Sequence, residues 1–267
     1  MGTAFRRMFG DETIGLFRDD LDLSRPSDIP GALDRNDPSS VVNCAAYTKV
    51  DQAEDEEELA TVINGEAVGV MARWCADRGR PLLTFSTDHV FDGKSDTPYL
   101  ESSSTDPINA YGRSKLVGER LAVDVGALIV RTSWVISGSH HNFVATMIRL
   151  GKERALTVVD DQVGCPTIAS DLALTSYQAL SAGATGLLHV TNAGPTTWFE
   201  LAKAAVSEAG WDPGVVEPCS TAEFPTRAMR PGYSVLESER LAGLDVASPP
   251  HWRESLPAAV SEIKTWI

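Results

Sequence analysis

The chain has 267 residues, of which 43% are hydrophobic, and its 23 basic and 37 acidic side chains give a formal net charge of −14. This composition supports a sizeable buried core, and the acidity argues against nucleic acid or an anionic membrane surface as a partner. Four widely spaced cysteines without a CxxC pair indicate neither a zinc site nor a disulfide framework, and no apolar run reaches the roughly 18 residues of a membrane helix.

Short apolar, β-branched runs alternate with longer amphipathic segments through the first two thirds of the chain. The predicted strands cover residues 13–18, 40–45, 81–86 and 128–133, and the predicted helices between them cover residues 57–78 and 110–123. Because this alternation is typical of βαβ units, the sequence predicts an α/β fold with a parallel sheet.

The pattern becomes less regular after residue 133. We predict helices at 142–153, 170–182 and 198–209, strands at 157–160, 187–191 and 215–219, a loop at 161–167, and a terminal helix after Pro249. The sequence therefore predicts a main domain over residues 1–155 and a smaller lobe over residues 156–267, with some segments of the second part returning to the first domain.

Tyr111 and Lys115 form a YxxxK spacing, which places the phenol and the ammonium one turn apart on one helix face. A phenol ordinarily titrates at about 10, and a cation that stabilises the phenolate makes proton transfer easier at neutral pH. This spacing often arises by chance, and the alternative is an aromatic residue at a helix start that packs on the sheet. The choice between a catalytic and a packing role for Tyr111 therefore depends on the surrounding sequence.

Ser86 and Thr87 emerge at the carboxyl end of a predicted strand, where open α/β sheets bind their ligands. A hydroxyl at this edge can hold a substrate carbonyl while Tyr111 protonates its oxygen and a nicotinamide delivers hydride to its carbon. The alternative is a strand-end cap without a catalytic role.

Six segments resemble, in order and spacing, successive signatures of the dTDP-4-dehydrorhamnose reductase family, which belongs to the extended short-chain dehydrogenases/reductases. These segments cover residues 43–51, 85–93, 111–115, 131–135, 158–167 and 189–194, and residues 224–236 and 251–253 are similar to the C-terminal lobe of that family. The resemblance implies a Rossmann-type doubly wound parallel sheet that binds a dinucleotide in residues 1–155. It also implies a small α/β lobe for a sugar nucleotide in residues 156–267.

The same resemblance implies reduction of the C4 keto group of dTDP-4-dehydro-L-rhamnose to dTDP-L-rhamnose by NADPH or NADH. Thr87, Tyr111 and Lys115 would be the catalytic trio. Tyr111 would donate the proton, Lys115 would lower the pKa of Tyr111 and hold the nicotinamide ribose, and Thr87 would orient the carbonyl. No catalytic metal is expected.

Further residues are assigned to two binding sites by the resemblance. Contacts to the cofactor would come from Gly2, Asp22, Leu23, Ala45, Ala46, Tyr47 and Lys115. The sugar pocket would be lined by Thr87, His89, Val90 and Trp134, although Trp134 can equally be a core residue. His89 stands where the family commonly has a tyrosine, so the identity of the sugar stays open. The choice between NADH and NADPH also stays open, because Arg18 is ambiguous.

The beginning of the chain departs from the family pattern. The family opens with an apolar strand and a GxxGxxG turn, whose bare backbone lets a pyrophosphate approach a helix N-terminus. Only the last glycine has a counterpart here, in Gly2, and the first strand of a doubly wound sheet is central. We expect either a misplaced start, which is the favoured interpretation, or weak cofactor binding.

The sequence therefore favours one function over two alternatives. The favoured function is the reductase. The alternatives are a noncatalytic regulatory or binding subunit with the same fold and a reductase of another dTDP-4-keto-6-deoxysugar. We expect a dTDP-sugar as the substrate and a cytoplasmic location, and we leave a homodimer open.

Overall fold

A computed structural model describes residues 1–267. The helices are α1 (Gly2–Phe9), α2 (Ile29–Asn36), α3 (Glu57–Thr61), α4 (Ala67–Asp77), α5 (Ala110–Val123), α6 (Phe143–Gly151), α7 (Ala169–Ser181), α8 (Trp198–Glu208) and α9 (Trp252–Ile263). The strands are β1 (Val41–Asn43), β2 (Leu82–Thr87), β3 (Leu128–Thr132), β4 (Val135–Ile136), β5 (Leu156–Val159), β6 (Val163–Gly164), β7 (Thr167–Ile168), β8 (Gly186–His189), β9 (Thr196–Thr197) and β10 (Val216–Cys219). None of the helices combines the length and the apolar character that a membrane crossing requires.

The main sheet has four parallel strands in the order β1, β2, β3, β8. Side chains alternate along a strand, so Leu83 and Leu128 point to one face while Leu82 and Ile129 point to the other. Helices α1 and α7 pack on the first face, and α2, α4 and α5 pack on the second. Helices thus cover both faces of a parallel sheet, and the predicted α/β fold is confirmed.

A second core joins elements from the later part of the chain. Strands β5 and β10 pair in parallel. Helices α6, α8 and α9 pack around Ile148, Leu201 and Trp252, all of which are buried. Strand β8 and helix α7 also come from this part of the chain, but they belong to the main sheet and its covering layer.

The strand predicted at residues 13–18 is wrong. Residues 13–17 are irregular, and the side chains of Ile14 and Phe17 are 64% and 58% exposed. An extended apolar segment becomes a strand only where a neighbouring strand supplies hydrogen-bond partners, and strand β1 pairs with β2 alone. Residues 13–17 therefore have the apolar composition of a strand, but no neighbouring strand forms hydrogen bonds with them.

The helix predicted at residues 57–78 consists of α3, a π-helical turn at Val62–Glu66, and α4. Helix α5 crosses this turn so closely that a Cβ atom on Gly118 would lie 2.2 Å from the carbonyl oxygen of Asn64. A π-helical turn inside an α-helix is uncommon and frequently marks a functional site. The loop predicted at residues 161–167 also carries regular structure, since it contains the short strand β6 and leads directly into β7.

Candidate active site

The carboxyl end of β2 and the first turn of α5 lie side by side. Thr87 is the last residue of β2, and Asn109 caps α5 by accepting a hydrogen bond from the backbone N–H of Gly112 at 2.8 Å. A Cβ atom on Gly112 would lie 2.1 Å from the carbonyl oxygen of His89, so only glycine allows this approach. The close contact brings Thr87 next to Tyr111, although 24 positions separate them in the chain.

Tyr111 is held in its protonated form. Burial raises the pKa of Tyr111 to about 12, the Thr87 hydroxyl acts in the opposite direction, and the charge of Asp88 raises the pKa further. A phenol with such a pKa keeps its proton at neutral pH and can donate it when an acceptor oxygen arrives.

Lys115 lies one helical turn beyond Tyr111 and is only 5% exposed. Burial lowers the pKa of Lys115 to about 8, and the nearby carboxylate of Glu119 opposes this decrease. The expectation that Lys115 lowers the pKa of Tyr111 is not met, because the charge that acts on this pKa is that of Asp88, whereas the charge that acts on the pKa of Lys115 is that of Glu119. Lys115 therefore carries a buried ammonium, a group with three hydrogen-bond donors, on the same helix as Tyr111.

His89 packs its ring edge against the Tyr111 ring, with the two centroids 5.5 Å apart. The side-chain amide of Asn109 lies 2.9 Å from Nδ1 of His89 and donates to it, which leaves Nδ1 unprotonated. Burial lowers the pKa of His89, and the charge of Asp88 opposes this effect. Val90 follows in the same 3-10 turn and is fully buried in an apolar cluster with Phe91.

Trp134 has a backbone φ of 46°, which is uncommon for a residue other than glycine. Its indole stacks on that of Trp198 with 3.6 Å between the ring centroids, and Trp198 packs against Phe143. A Cβ atom on Gly164 would lie 2.6 Å from the Trp134 ring. Residues of the second core thus fix the orientation of this half-buried side chain.

Apart from Lys115 on α5, the residues assigned to the cofactor from the sequence lie in two places. Ala45, Ala46 and Tyr47 follow the carboxyl end of β1, and Gly2 begins α1, where its Cβ position would lie 3.8 Å from Cβ of Cys44 beside the same strand end. Asp22 and Leu23 lie in the loop before α2. The carboxylate of Asp22 accepts a hydrogen bond from the Ser24 N–H, which lowers its pKa, while Leu23 packs in the core.

Asn64 connects the loop after β1 with helix α5. Its side chain accepts a hydrogen bond from the Tyr47 N–H at 2.8 Å and donates to the Tyr47 carbonyl at 3.0 Å and to the Ser114 hydroxyl at 2.9 Å. No sequence pattern predicted this role, because a single asparagine inside an amphipathic helix resembles any surface polar residue. Its burial within the π-helical turn is visible only in three dimensions.

The family model described as "RmlD substrate binding domain" matches residues 1–265. The chain is 44% identical over 229 residues to the dTDP-4-dehydrorhamnose reductase of Mycolicibacterium smegmatis, a match that covers 84% of this chain and 70% of that protein. This chain belongs to the RmlD family. The family resemblance predicted from the sequence motifs is therefore confirmed.

Other relatives match over nearly their whole length. The dTDP-4-keto-6-deoxy-D-glucose reductase of Streptomyces niveus is 38% identical, with 96% of this chain and 90% of that protein covered. The crystal structure of the dTDP-4-dehydrorhamnose reductase of Bacillus anthracis in complex with NADP superposes with a TM-score of 0.92 at 37% identity, over 98% of this chain and 95% of that one. The Rossmann-type architecture expected from the motifs is confirmed with it.

In this RmlD-family chain, a late segment at residues 226–232 reaches back to the site. The carboxylate of Asp51 accepts a hydrogen bond from the Ala228 N–H at 3.0 Å and forms an ion pair with Arg230 at 2.8 Å. The amide of Asn109, which also contacts His89, donates to the Met229 carbonyl at 2.9 Å. This segment therefore joins the loop after β1 to the beginning of α5.

Asp88 is a further polar residue of the site for which the sequence predicted no role. One of its carboxylate oxygens accepts a hydrogen bond from the Thr87 hydroxyl at 2.9 Å, while the other is buried without any partner in the chain. A buried oxygen without a partner is rare and requires an explanation, such as a role in binding. Together with the buried ammonium of Lys115, it gives the site unused hydrogen-bonding capacity that suits a polar ligand.

Proposed function

We propose that this chain reduces the C4 keto group of dTDP-4-dehydro-L-rhamnose to dTDP-L-rhamnose, with NADPH or NADH as the reductant. The observation that carries the proposal is the convergence of Thr87, Tyr111 and Lys115 at the carboxyl edge of the parallel sheet. The reductases named among its relatives support the substrate, and the related structure in complex with NADP supports the cofactor.

The three residues divide the chemistry between them. A bound reduced nicotinamide supplies the hydride that adds to the carbonyl carbon. Tyr111, whose pKa of about 12 keeps it protonated, gives its proton to the carbonyl oxygen, so the ketone becomes an alcohol and Tyr111 becomes a phenolate. The Thr87 hydroxyl orients the oxygen, and the ammonium of Lys115 stabilises the phenolate until Tyr111 is protonated again.

The remaining assignments divide the binding between the two parts of the chain. Residues 1–155, together with β8, would hold the cofactor through Gly2, Asp22, Leu23, Ala45, Ala46, Tyr47 and Lys115. The N-terminus of α1, whose first backbone N–H groups have no partner within the helix, lies beside the loop after β1, a setting that suits a pyrophosphate. His89, Val90 and Trp134, with residues 156–267, would surround the sugar nucleotide.

One relative and one residue of the site support a second candidate substrate, dTDP-4-keto-6-deoxy-D-glucose. The Streptomyces niveus protein, which is 38% identical, is named for reduction of dTDP-4-keto-6-deoxy-D-glucose. His89, which packs against Tyr111, would contact the sugar near the reacting carbon and therefore influence which sugar is accepted.

The test is cofactor oxidation with each of the two dTDP-4-keto sugars, for the wild type, Tyr111→Phe and the control Tyr177→Phe. Tyr177 is exposed on α7, so its hydroxyl should not matter. We expect the wild type and the control to oxidise the cofactor, and Tyr111→Phe to lose at least about 100-fold in rate because it has no proton to give. Full activity of Tyr111→Phe would overturn the proposal. Absence of turnover by a folded, cofactor-binding wild type would favour a noncatalytic subunit instead.

A further inference from the structure

Ser86, Glu119 and Arg131 form a buried cluster directly behind Lys115. The Glu119 carboxylate accepts hydrogen bonds from Nη2 and Nε of Arg131 at 2.7 and 2.9 Å, and from the Ser86 hydroxyl at 2.5 Å. All three residues are buried. Because Ser86 lies on β2 and Arg131 lies on β3, this single carboxylate fastens helix α5 to both central strands of the sheet.

The cluster and Lys115 share one internal space. Lys115 and Glu119 are four residues apart and therefore lie on the same face of α5. They line, together with Ser86 and Asn64, a cavity of about 10 Å³, which is large enough for about one water molecule. Ser86 also directly precedes Thr87, so the cluster adjoins two members of the proposed trio.

We propose that Glu119 is a positioning residue for the reduction: fastened by Arg131 and Ser86 in the lining of the cavity that it shares with Lys115, it keeps Lys115, one helical turn from Tyr111, in its charged form. This inference rests on the role of Lys115 in the proposed function. It adds a residue that neither the YxxxK spacing nor the strand-end hydroxyls identify.

The charges around Lys115 support this role. Burial lowers the pKa of Lys115 to about 8, and the carboxylate of Glu119 opposes this decrease. Without the charge of Glu119, the pKa of Lys115 would fall further, and a neutral amine would stabilise the Tyr111 phenolate poorly. Arg131 compensates the carboxylate, which would otherwise be a costly uncompensated charge in the interior.

The groups that face Lys115 from the neighbouring elements make Glu119 the decisive one. Helix α5 itself contributes Tyr111 and Glu119, one turn to either side of Lys115. Two further charges lie beyond these groups: Asp88, in the 3-10 turn after β2, acts on Tyr111, and Arg131, on β3, pairs with Glu119. The π-helical turn presents the uncharged Asn64, β2 presents Ser86 and Thr84, and α4 presents Val68. Among these groups, the carboxylate of Glu119 is the one that shifts the pKa of Lys115 upward.

The experiment compares the pH dependence of cofactor oxidation by the wild type, Glu119→Gln and Glu119→Asp. If Lys115 acts in its charged form, activity is lost as the pH rises through its pKa, which is about 8 in the wild type. Glu119→Gln keeps the shape of the side chain but removes its charge. We therefore expect the alkaline limb of the pH–activity profile to move to lower pH by at least about one unit. Glu119→Asp retains the charge, so the alkaline limb of its pH–activity profile should stay near that of the wild type even if kcat falls.

Two further variants keep the proposal falsifiable. If Glu119→Gln does not fold, the double variant Glu119→Gln/Arg131→Met removes both buried charges and leaves neither unpaired. The alkaline limb should then move in the same direction by a smaller amount, because the loss of the Arg131 cation partly offsets the loss of the carboxylate. Lys115→Met separates this inference from the proposed function. Wild-type activity of Lys115→Met would sink the assignment of the trio itself. An inactive Lys115→Met, together with a folded charge-removed variant whose pH profile overlays that of the wild type, would overturn the role of Glu119 alone.

Discussion

Replacing Lys115 with methionine should make the protein more stable while it abolishes activity. The ammonium of Lys115 is buried, and its pKa falls from an ordinary value of 10.5 to about 8. Each pKa unit corresponds to about 1.4 kcal/mol, so the buried charge lowers the free energy of unfolding by about 3 kcal/mol. Methionine fills a similar volume without a charge, and it should recover most of that free energy.

The stabilisation expected from Lys115→Met should depend on pH. Because the pKa of Lys115 is lower in the folded protein than in the unfolded chain, the penalty is complete below about pH 8 and disappears as the pH rises towards 10.5. Lys115→Met should therefore gain about 3 kcal/mol at neutral pH and much less near pH 10. The assay is urea unfolding at both pH values, beside cofactor oxidation.

Lys94→Met provides the matched control, because Lys94 is exposed and its ammonium forms no ion pair, so this substitution should change the free energy of unfolding by less than about 0.5 kcal/mol. A Lys115→Met protein that is less stable than the wild type, or that shows the same gain at both pH values, would refute the reasoning from burial.

Two other substitutions test contacts around the site. Asp51→Asn removes the charge that pairs with Arg230 and holds the segment at residues 226–232. We therefore expect KM for the sugar nucleotide to rise by about tenfold while kcat changes less. An unchanged KM in steady-state kinetics would argue against this contact. Gly118→Ala would place a Cβ atom 2.2 Å from the carbonyl oxygen of Asn64, and the forced shift should lower the free energy of unfolding by about 1–3 kcal/mol. Thermal unfolding measures that loss, and an unchanged midpoint would contradict the close packing of α5.

Local patterns were enough to predict the elements that carry the trio. Helix α5 spans the predicted residues 110–123, since its apolar spacing and its capping asparagine lie within the segment itself. The same is true of β2, whose apolar run ends in Ser86 and Thr87. The strand at residues 13–18 failed because a strand depends on a partner elsewhere in the chain, which local composition does not reveal.

The supporting residues of the site could not be predicted for a related reason. Asn64 and Ser114 are 50 positions apart, and Asp51 and Arg230 are 179 positions apart, so only the fold brings them together. Glu119 follows the YxxxK spacing on the same helix, yet a glutamate on a helix is ordinarily a solvated surface residue. Its burial becomes evident only when Arg131 and Ser86 are placed opposite it.

The most direct test of the central claim follows the hydride itself. Wild-type protein and Tyr111→Phe would each be incubated with dTDP-4-dehydro-L-rhamnose and NADPH deuterated at the transferable position, and the sugar product would be analysed for deuterium. We predict deuterium at C4 of dTDP-L-rhamnose from the wild type and at most a trace from Tyr111→Phe, with cofactor binding retained in both. A folded wild type that binds the cofactor but transfers no deuterium, or equal transfer by both proteins, would contradict the account.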